Sequence, residues 1–399
     1  MGTQTLFNVG FYAVVPFVAV VLSGDFGLAA TTVGLVLGVR TFAQQGMFLV
    51  GGALADRIGA RATILIGCAI RVTGFLAWAG SLWSSPMLLW LFIAGTVTTG
   101  LGGALFSPAL NTLVADADAR IPGRRVTLFA WLTLSGEVGA VIGPLLGTLL
   151  LPLGFEVVAA TGAACFAVIG VALASLLPRT SNSQRRDPPA RRGSIPALHD
   201  PRFVMFAALH AVDLLAYNQL YLTLPLELDR IGTGPELIGV MFAWVSILTL
   251  TLQLPVARWC SRVGARTALR AGYLASAGAF TLLAGEAVIA LAPGIHLAMI
   301  GVAVSGLTFG HLAANPTALS LVPGFASGQP TGSYFGLLAS LGGLAVLVGN
   351  LAVGRLLDGA AGPSGASALP WLLLTAPMLA SALLIPRAIP REQIPKRPG

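Results

Sequence analysis

The sequence predicts an all-α membrane protein, with twelve transmembrane helices in two pseudo-symmetric halves of six. Three observations carry this. First, 56% of the 399 residues are hydrophobic and only 10% are charged, against roughly 25% charged in a soluble domain. The chain has too little polar surface to face water. Second, the apolar residues fall into runs of about 20, the length that crosses a bilayer core. Third, the cationic residues gather in alternate connectors, as the positive-inside rule requires.

The runs lie at 5–23, 31–54, 63–83, 87–114, 127–150, 157–177, 203–226, 236–256, 268–287, 296–320, 333–357 and 369–386. The first carries Phe11 and Tyr12. It has no basic segment before it and leads straight into a second span, so it reads as a helix and not a cleaved signal. It is short at its start, and is expected to lack a turn or to continue from residues upstream. The second run holds Arg40, Gln44 and Gln45, the third holds Arg71, and the fourth has no ionisable residue. The fifth contains Glu137 and a row of glycines, and the sixth is apolar throughout. The seventh carries His210, Asp213, Tyr217, Asn218 and Tyr221; the eighth Trp244; the tenth His311 and Asn315. The ninth, eleventh and twelfth are recognised by length and hydropathy.

Placing both termini in the cytoplasm puts nineteen cationic residues in inside connectors and two, Arg230 and Arg355, outside. Arg40 and Arg71 fall within spans. The formal net charge of +8 therefore reports membrane topology and not a nucleic-acid partner.

The counts exclude several function classes. There are 22 arginines and one lysine, Lys396 in the tail, so no lysine stands in a phosphate-cradling loop. Cys68, Cys165 and Cys260 are scattered, without disulfide or metal spacing. The four histidines form no HExxH pair and no serine sits in a G-x-S-x-G turn. The chain reads as no enzyme, with no cofactor and no metal.

Residues 178–201, rich in Arg, Ser and Pro, are expected to form a cytoplasmic linker. It separates an N-terminal half (1–177) from a C-terminal half with a short basic tail (202–399). An internal repeat supports the division. Asp56-Arg57-Ile58-Gly59-Ala60-Arg61 recurs 205 residues later as Ser261-Arg262-Val263-Gly264-Ala265-Arg266. Phe106-Ser107-Pro108-Ala109 is echoed by Ala314-Asn315-Pro316-Thr317.

The segment Gly52-Ala53-Leu54-Ala55-Asp56-Arg57-Ile58-Gly59-Ala60-Arg61 resembles the signature loop of the major facilitator superfamily, with Ala60 in place of a usual basic residue. Such a turn needs a glycine free to take positive φ, here Gly59. The Asp56 carboxylate can face a helix N-terminus or an arginine. The resemblance implies a conformational latch at Asp56, Arg57, Gly59 and Arg61. In the fifth span, Gly139, Gly143, Pro144 and Gly147 resemble the motif of the antiporter branch, with Thr148 replacing its last glycine. Glycines at that spacing let backbones approach closely. Gly34 to Arg61, with Arg40, Gln44 and Gln45, and Gly332-Ser333-Tyr334 with Asp358, look most like MdtH-type multidrug efflux proteins.

The resemblance implies a secondary transporter in a bacterial plasma membrane that exports hydrophobic or amphipathic small molecules in exchange for protons. It also implies a lipid bilayer as the surroundings and a monomeric protein. One family feature is missing, since the fourth span lacks the arginine usual in proton antiporters. Arg71 or Arg40 is the available substitute.

Ionisable groups near the bilayer centre cost several kcal/mol and mark pathways or partners. Counting inward at ~1.5 Å per residue, Glu137, Asp213 and Arg71 all fall near the midplane. Glu137, Asp213 and His210 are the proton-coupling candidates. His210, Asp213 and Tyr217 share one helix face and are expected to form a hydrogen-bonded row. A substrate cavity is expected from Tyr12, Arg40, Gln44, Tyr217, Asn218, Tyr221, Trp244, His311 and Asn315. Against these stand plainer alternatives. Arg71 pairs structurally, or His210 bonds a backbone carbonyl. Arg40 and Arg71 could equally serve an importer or facilitator of a nutrient or organic anion. A non-transporting scaffold has no reason to keep two midplane carboxylates.

Overall fold

The structure is a computed structural model that describes residues 2–119, 128–176, 196–230, 236–289, 291–326, 332–360 and 364–389. Linker residues 178–195, Arg120, Arg124 and Arg125, and the tail from Arg391 lie outside the described residues, as does the side chain of Asp56. Among the described residues every regular element is helical.

Among the described residues fourteen α-helices correspond to the twelve expected spans. The first span is α1 (Gly2–Tyr12) and α2 (Val18–Ser23), joined by a 3₁₀ turn, Val15–Phe17. Pro16 explains the interruption, since it has no backbone N–H to continue the ladder. The second span is also two helices, α3 (Ala30–Gly46) and α4 (Phe48–Ile58), meeting at Met47. The single run expected there is corrected: Gly46 is a weak helix former at the break. The rest of the N-terminal half is α5 (Ala60–Trp83), α6 (Leu89–Ala119), α7 (Leu128–Leu150) and α8 (Phe155–Leu176). The C-terminal half is α9 (Pro201–Arg230), α10 (Glu236–Val263), α11 (Ala265–Glu286), α12 (Pro293–Ala326), α13 (Gly332–Asp358) and α14 (Gly365–Ala388). Ten helices among the described residues are long and apolar enough to cross a membrane. The other two spans are the broken α3–α4 pair and α11.

The repeat is structural as well as sequential. Gly59 and Gly264 occupy equivalent turns with φ of 89° and 82°, a region that L-residues rarely enter. Arg61 Nη2 donates to the Ala174 carbonyl at 2.7 Å, and Arg266 Nη2 to the Ile389 carbonyl at 3.0 Å. Each arginine thereby ties the third helix of its half to the end of the sixth.

The halves meet on the side away from the chain termini. There α3 crosses α13 so closely that a Cβ on Gly34 would overlap the Asn350 carbonyl and one on Gly354 the Ala30 carbonyl. Asp358, ending α13, accepts from the backbone N–H groups of Ala30 (2.6 Å) and Thr31 (3.0 Å) and from the Thr31 hydroxyl. A carboxylate at a helix N-terminus is favoured by the unpaired donors and by the helix dipole. Replacing it with alanine removes a cap worth about 1 kcal/mol, so Asp358→Ala is expected to shift the open–closed balance roughly fivefold toward opening. Paired spin labels at Gly27 and Ser364 should show a larger long-distance population. An unchanged distribution would mean that helix packing alone holds this closure.

Candidate substrate and proton site

Both halves contribute to a polar group at the centre of the bundle. From the C-terminal half, Asp213 on α9 is 3% exposed, and its Oδ2 lies 2.9 Å from His311 Nδ1 on α12. The His311 ring stacks on Tyr217 with centroids 4.0 Å apart and planes within 18°. From the N-terminal half, Glu137 on α7 is half-buried and interacts electrostatically with His311. Tyr12 of the N-terminal half stands close to Tyr221 of the other and lies in the fields of Glu137 and Arg40. The candidates Tyr12, Arg40, Glu137, Asp213, Tyr217, Tyr221 and His311 therefore stand together, drawn from five spans. Chemically the group offers two carboxylates, an imidazole between them and phenol hydroxyls, enough to exchange a proton or hold a polar substrate group.

Arg40 and Arg71 form a cationic pole beside it. Arg71 is fully buried and its guanidinium lies 4.7, 5.0 and 5.0 Å from the ring centres of Phe7, Phe11 and Phe166. Arg40 lies 5.1 Å from the Phe11 ring. These are cation–π distances. Arg71 Nε and Nη1 and Arg40 Nε and Nη2 have no hydrogen-bond partner, and among the described residues neither arginine forms an ion pair with a carboxylate. Gln44 borders the Arg71 guanidinium above Gly103, where a Cβ would have no room.

Other candidates lie elsewhere. The expected row of His210, Asp213 and Tyr217 does not bond to itself. His210 Nδ1 instead lies 2.9 Å from the Tyr273 hydroxyl of α11, with Asn315 of α12 nearby, because the neighbouring helix presents a better-placed partner than the next turn does. Trp244 is 42% exposed and donates to Ser305 of α12 at 3.0 Å, away from the central group. Asn218 bridges the halves. Its Nδ2 donates to Thr41 Oγ1 (3.2 Å), its Oδ1 accepts from Asn350 (2.9 Å), and Asn350 Oδ1 accepts from Gln219 (3.0 Å). Sequence reasoning missed Thr41, Asn350 and Gln219. Amides in apolar runs were the available signal, since buried polar groups need partners.

The glycine row of α7 packs on α1. Cβ atoms on Gly139 and Gly147 would overlap the carbonyls of Thr5 and Ala13, and one on Gly143 would come within 2.8 Å of the Tyr12 Cβ. The departure at Thr148 has a counterpart in the other half. Gly239 of α10 faces it so closely that a Cβ there would overlap the Thr148 hydroxyl and lie 2.9 Å from the Pro144 carbonyl.

Two six-helix halves that meet at a central polar group and pack together on one side are the architecture of a membrane transporter. The chain belongs to the major facilitator superfamily, whose model matches residues 1–350. It is 33% identical over 375 residues to an uncharacterised MFS-type transporter of Mycobacterium tuberculosis, covering 90% of this chain and 85% of that one. It is 32% identical over 371 residues to the multidrug resistance protein MdtH of Escherichia coli, covering 92% and 87%. Among solved structures, an auto-inhibited POT family peptide transporter superposes with a TM-score of 0.77 at 17% identity, over 100% of this chain and 98% of that one. The nucleoside transporter NupG gives 0.73 at 14%, over 98% of each. The chain is thus a multi-pass membrane transporter.

Proposed function

We propose that this transporter exports hydrophobic or amphipathic small molecules, drugs among them, in exchange for protons by alternating access. The observation that carries the reading is the facing of Glu137, from one half, and the His311–Asp213 pair, from the other. Burial penalises the charged form of a carboxyl group, so such a group can exchange a proton with a bound substrate. Multidrug relatives support the export direction. With the termini in the cytoplasm of a bacterial cell, the closed side faces outward and the described state faces inward. A proton arriving from outside neutralises Glu137 or Asp213 and releases substrate; rocking then exposes the carboxyl to the cytoplasm, where its deprotonation favours rebinding. The energetics suffice. About 2.3 kcal/mol from 100 mV and ~1.4 kcal/mol from one pH unit sustain roughly a 500-fold gradient of a neutral substrate per proton. Substrate-dependent proton movement in proteoliposomes tests the reading, and efflux without it overturns the coupling.

The second reading, transport of an organic anion, is favoured by one specific observation, the unpartnered nitrogens of Arg40 and Arg71. Substrate-driven alkalinisation against acidification of the outer medium separates the two.

The orientation has its own test. Single cysteines at Ser183 and Gly232 are expected to label oppositely with an impermeant thiol reagent on intact cells, Gly232→Cys reacting and Ser183→Cys not. The reverse pattern would invert the topology.

A further inference from the structure

The C-terminal half holds a second group of ionisable side chains that the central exchange does not use. Glu286, the last residue of α11, is 5% exposed. Its Oε1 lies 3.4 Å from Nε2 of His296 in the first turn of α12, and its Oε2 has no hydrogen-bond partner. Glu227 on α9 is 8% exposed and acts on Glu286 electrostatically. At the same end of α9, Asp229 is exposed, and the Arg230 side chain lies outside the described residues. The facing end of α14 has no titratable residue, and Glu236, opening α10, is exposed. Glu227 also lines a cavity with Thr223, Gln219, Phe280, Leu283 and Trp371. Gln219 is 1% exposed, and its Oε1 is a second unpartnered oxygen there.

An ionised carboxylate only accepts hydrogen bonds, and burying one without several donors is costly. Glu286 has one long contact to His296, an empty second oxygen and another carboxylate in its field. A proton on Oε2 removes the charge and supplies a donor. Among the described residues no three His, Cys, Asp or Glu side chains stand close enough to chelate a metal ion, which leaves a proton as the fitting occupant.

We propose that Glu286, together with His296 and Glu227, forms a second proton-binding site on the side away from the chain termini, separate from the central group. Glu227, Thr223 and Gln219 are spaced by four on α9 and so share a face, each step rising ~6 Å along the helix. Gln219 then donates to Asn350, Asn350 to Asn218, and Asn218 to Thr41 of the other half. The polar row thus runs from the proton site toward the hydrogen bonds that close the halves together, with the Thr223 hydroxyl donating to the Gln219 backbone carbonyl at 3.1 Å. The inference rests on the membrane-transporter reading, but not on exchange at Glu137.

Infrared difference spectroscopy of the full-length protein in lipid nanodiscs at neutral pH tests it. The wild type minus Glu286→Gln spectrum is expected to contain a protonated-carboxyl carbonyl band, and that band is expected to remain in Glu137→Gln. His296→Gln, a milder change, should keep the band and carry it to higher pH, because the imidazole that favours the ionised form is gone. A spectrum without the band, or a sodium-induced change lost in Glu286→Gln with no carbonyl band, would overturn the proposal. If the band is present but Glu137→Gln and Asp213→Asn both keep wild-type coupled efflux, the central exchange fails while this site stands.

Discussion

Glu137→Gln is expected to abolish substrate-driven proton movement in proteoliposomes. The amide keeps the shape of the carboxyl group and its place beside α1, but has no proton to exchange. Binding of a neutral substrate should survive within a factor of roughly ten, about 1.4 kcal/mol, because the aromatic and phenolic surfaces of Tyr12, Tyr217 and Tyr221 are untouched. Asp213→Asn should also uncouple, with weaker substrate binding. Its loss releases His311 from its 2.9 Å partner and with it the ring stacked on Tyr217. Glu137 is expected to be the more sensitive of the two, since it sits on the helix whose glycine row packs against α1. If both amides retain wild-type proton-coupled efflux, the carboxylates serve structure and the exchange mechanism is wrong.

Adding a side chain at Gly239 is expected to cost nearly as much by a different route. Closure on the side away from the termini brings α10 against α7 with no space for a Cβ between Gly239 and Thr148. Overpacking of this kind costs about 1–3 kcal/mol, which populates the open arrangement roughly 5- to 150-fold more. Gly239→Val should therefore reduce transport severely while substrate binding persists. The decisive comparison is a double-variant cycle. Thr148→Gly removes the hydroxyl and Cβ that face position 239, so Gly239→Ala combined with Thr148→Gly should recover most of what Gly239→Ala loses alone. An additive double variant would show that the two helices do not need this contact to close.

The signature loop shows how far local sequence reaches. Gly59 was legible as a positive-φ turn because a tight connection between two helices leaves only glycine comfortable there; it takes that conformation, and so does Gly264, its counterpart in the repeat. Helix count and order were equally legible, since hydropathy and length are properties of the chain alone. Helix starts held to within a few residues, but α6, α10 and α12 run on to Ala119, Val263 and Ala326, past the ends expected at 114, 256 and 320, because a helix can continue beyond its apolar run; local breakers interrupt the first two spans at Pro16 and at the Gly46–Met47 break. The central group was partly legible. Tyr12, Arg40, Glu137, Asp213, Tyr217, Tyr221 and His311 stood out as polar groups in apolar runs, but nothing in the sequence said which of them meet. His210 looked like a partner of Asp213 from its three-residue spacing, whereas each bonds a different helix.

By itself, then, the sequence determined the membrane environment, the twelve spans, the pseudo-repeat and the set of costly polar residues, because each follows from transfer energy and helical period read along one chain. Tertiary structure alone decided the pairings: Asp213 with His311, Asn218 with Thr41 and Asn350, Asp358 with the start of α3, and Thr148 with Gly239. Each joins residues that are about 90 to 330 positions apart. Which surfaces meet depends on how two six-helix halves are rotated against each other, and that rotation is set by close backbone contacts at Gly34, Gly239 and Gly354. In the proposed alternating-access cycle it is also the variable that changes, so no single sequence pattern could encode one value of it.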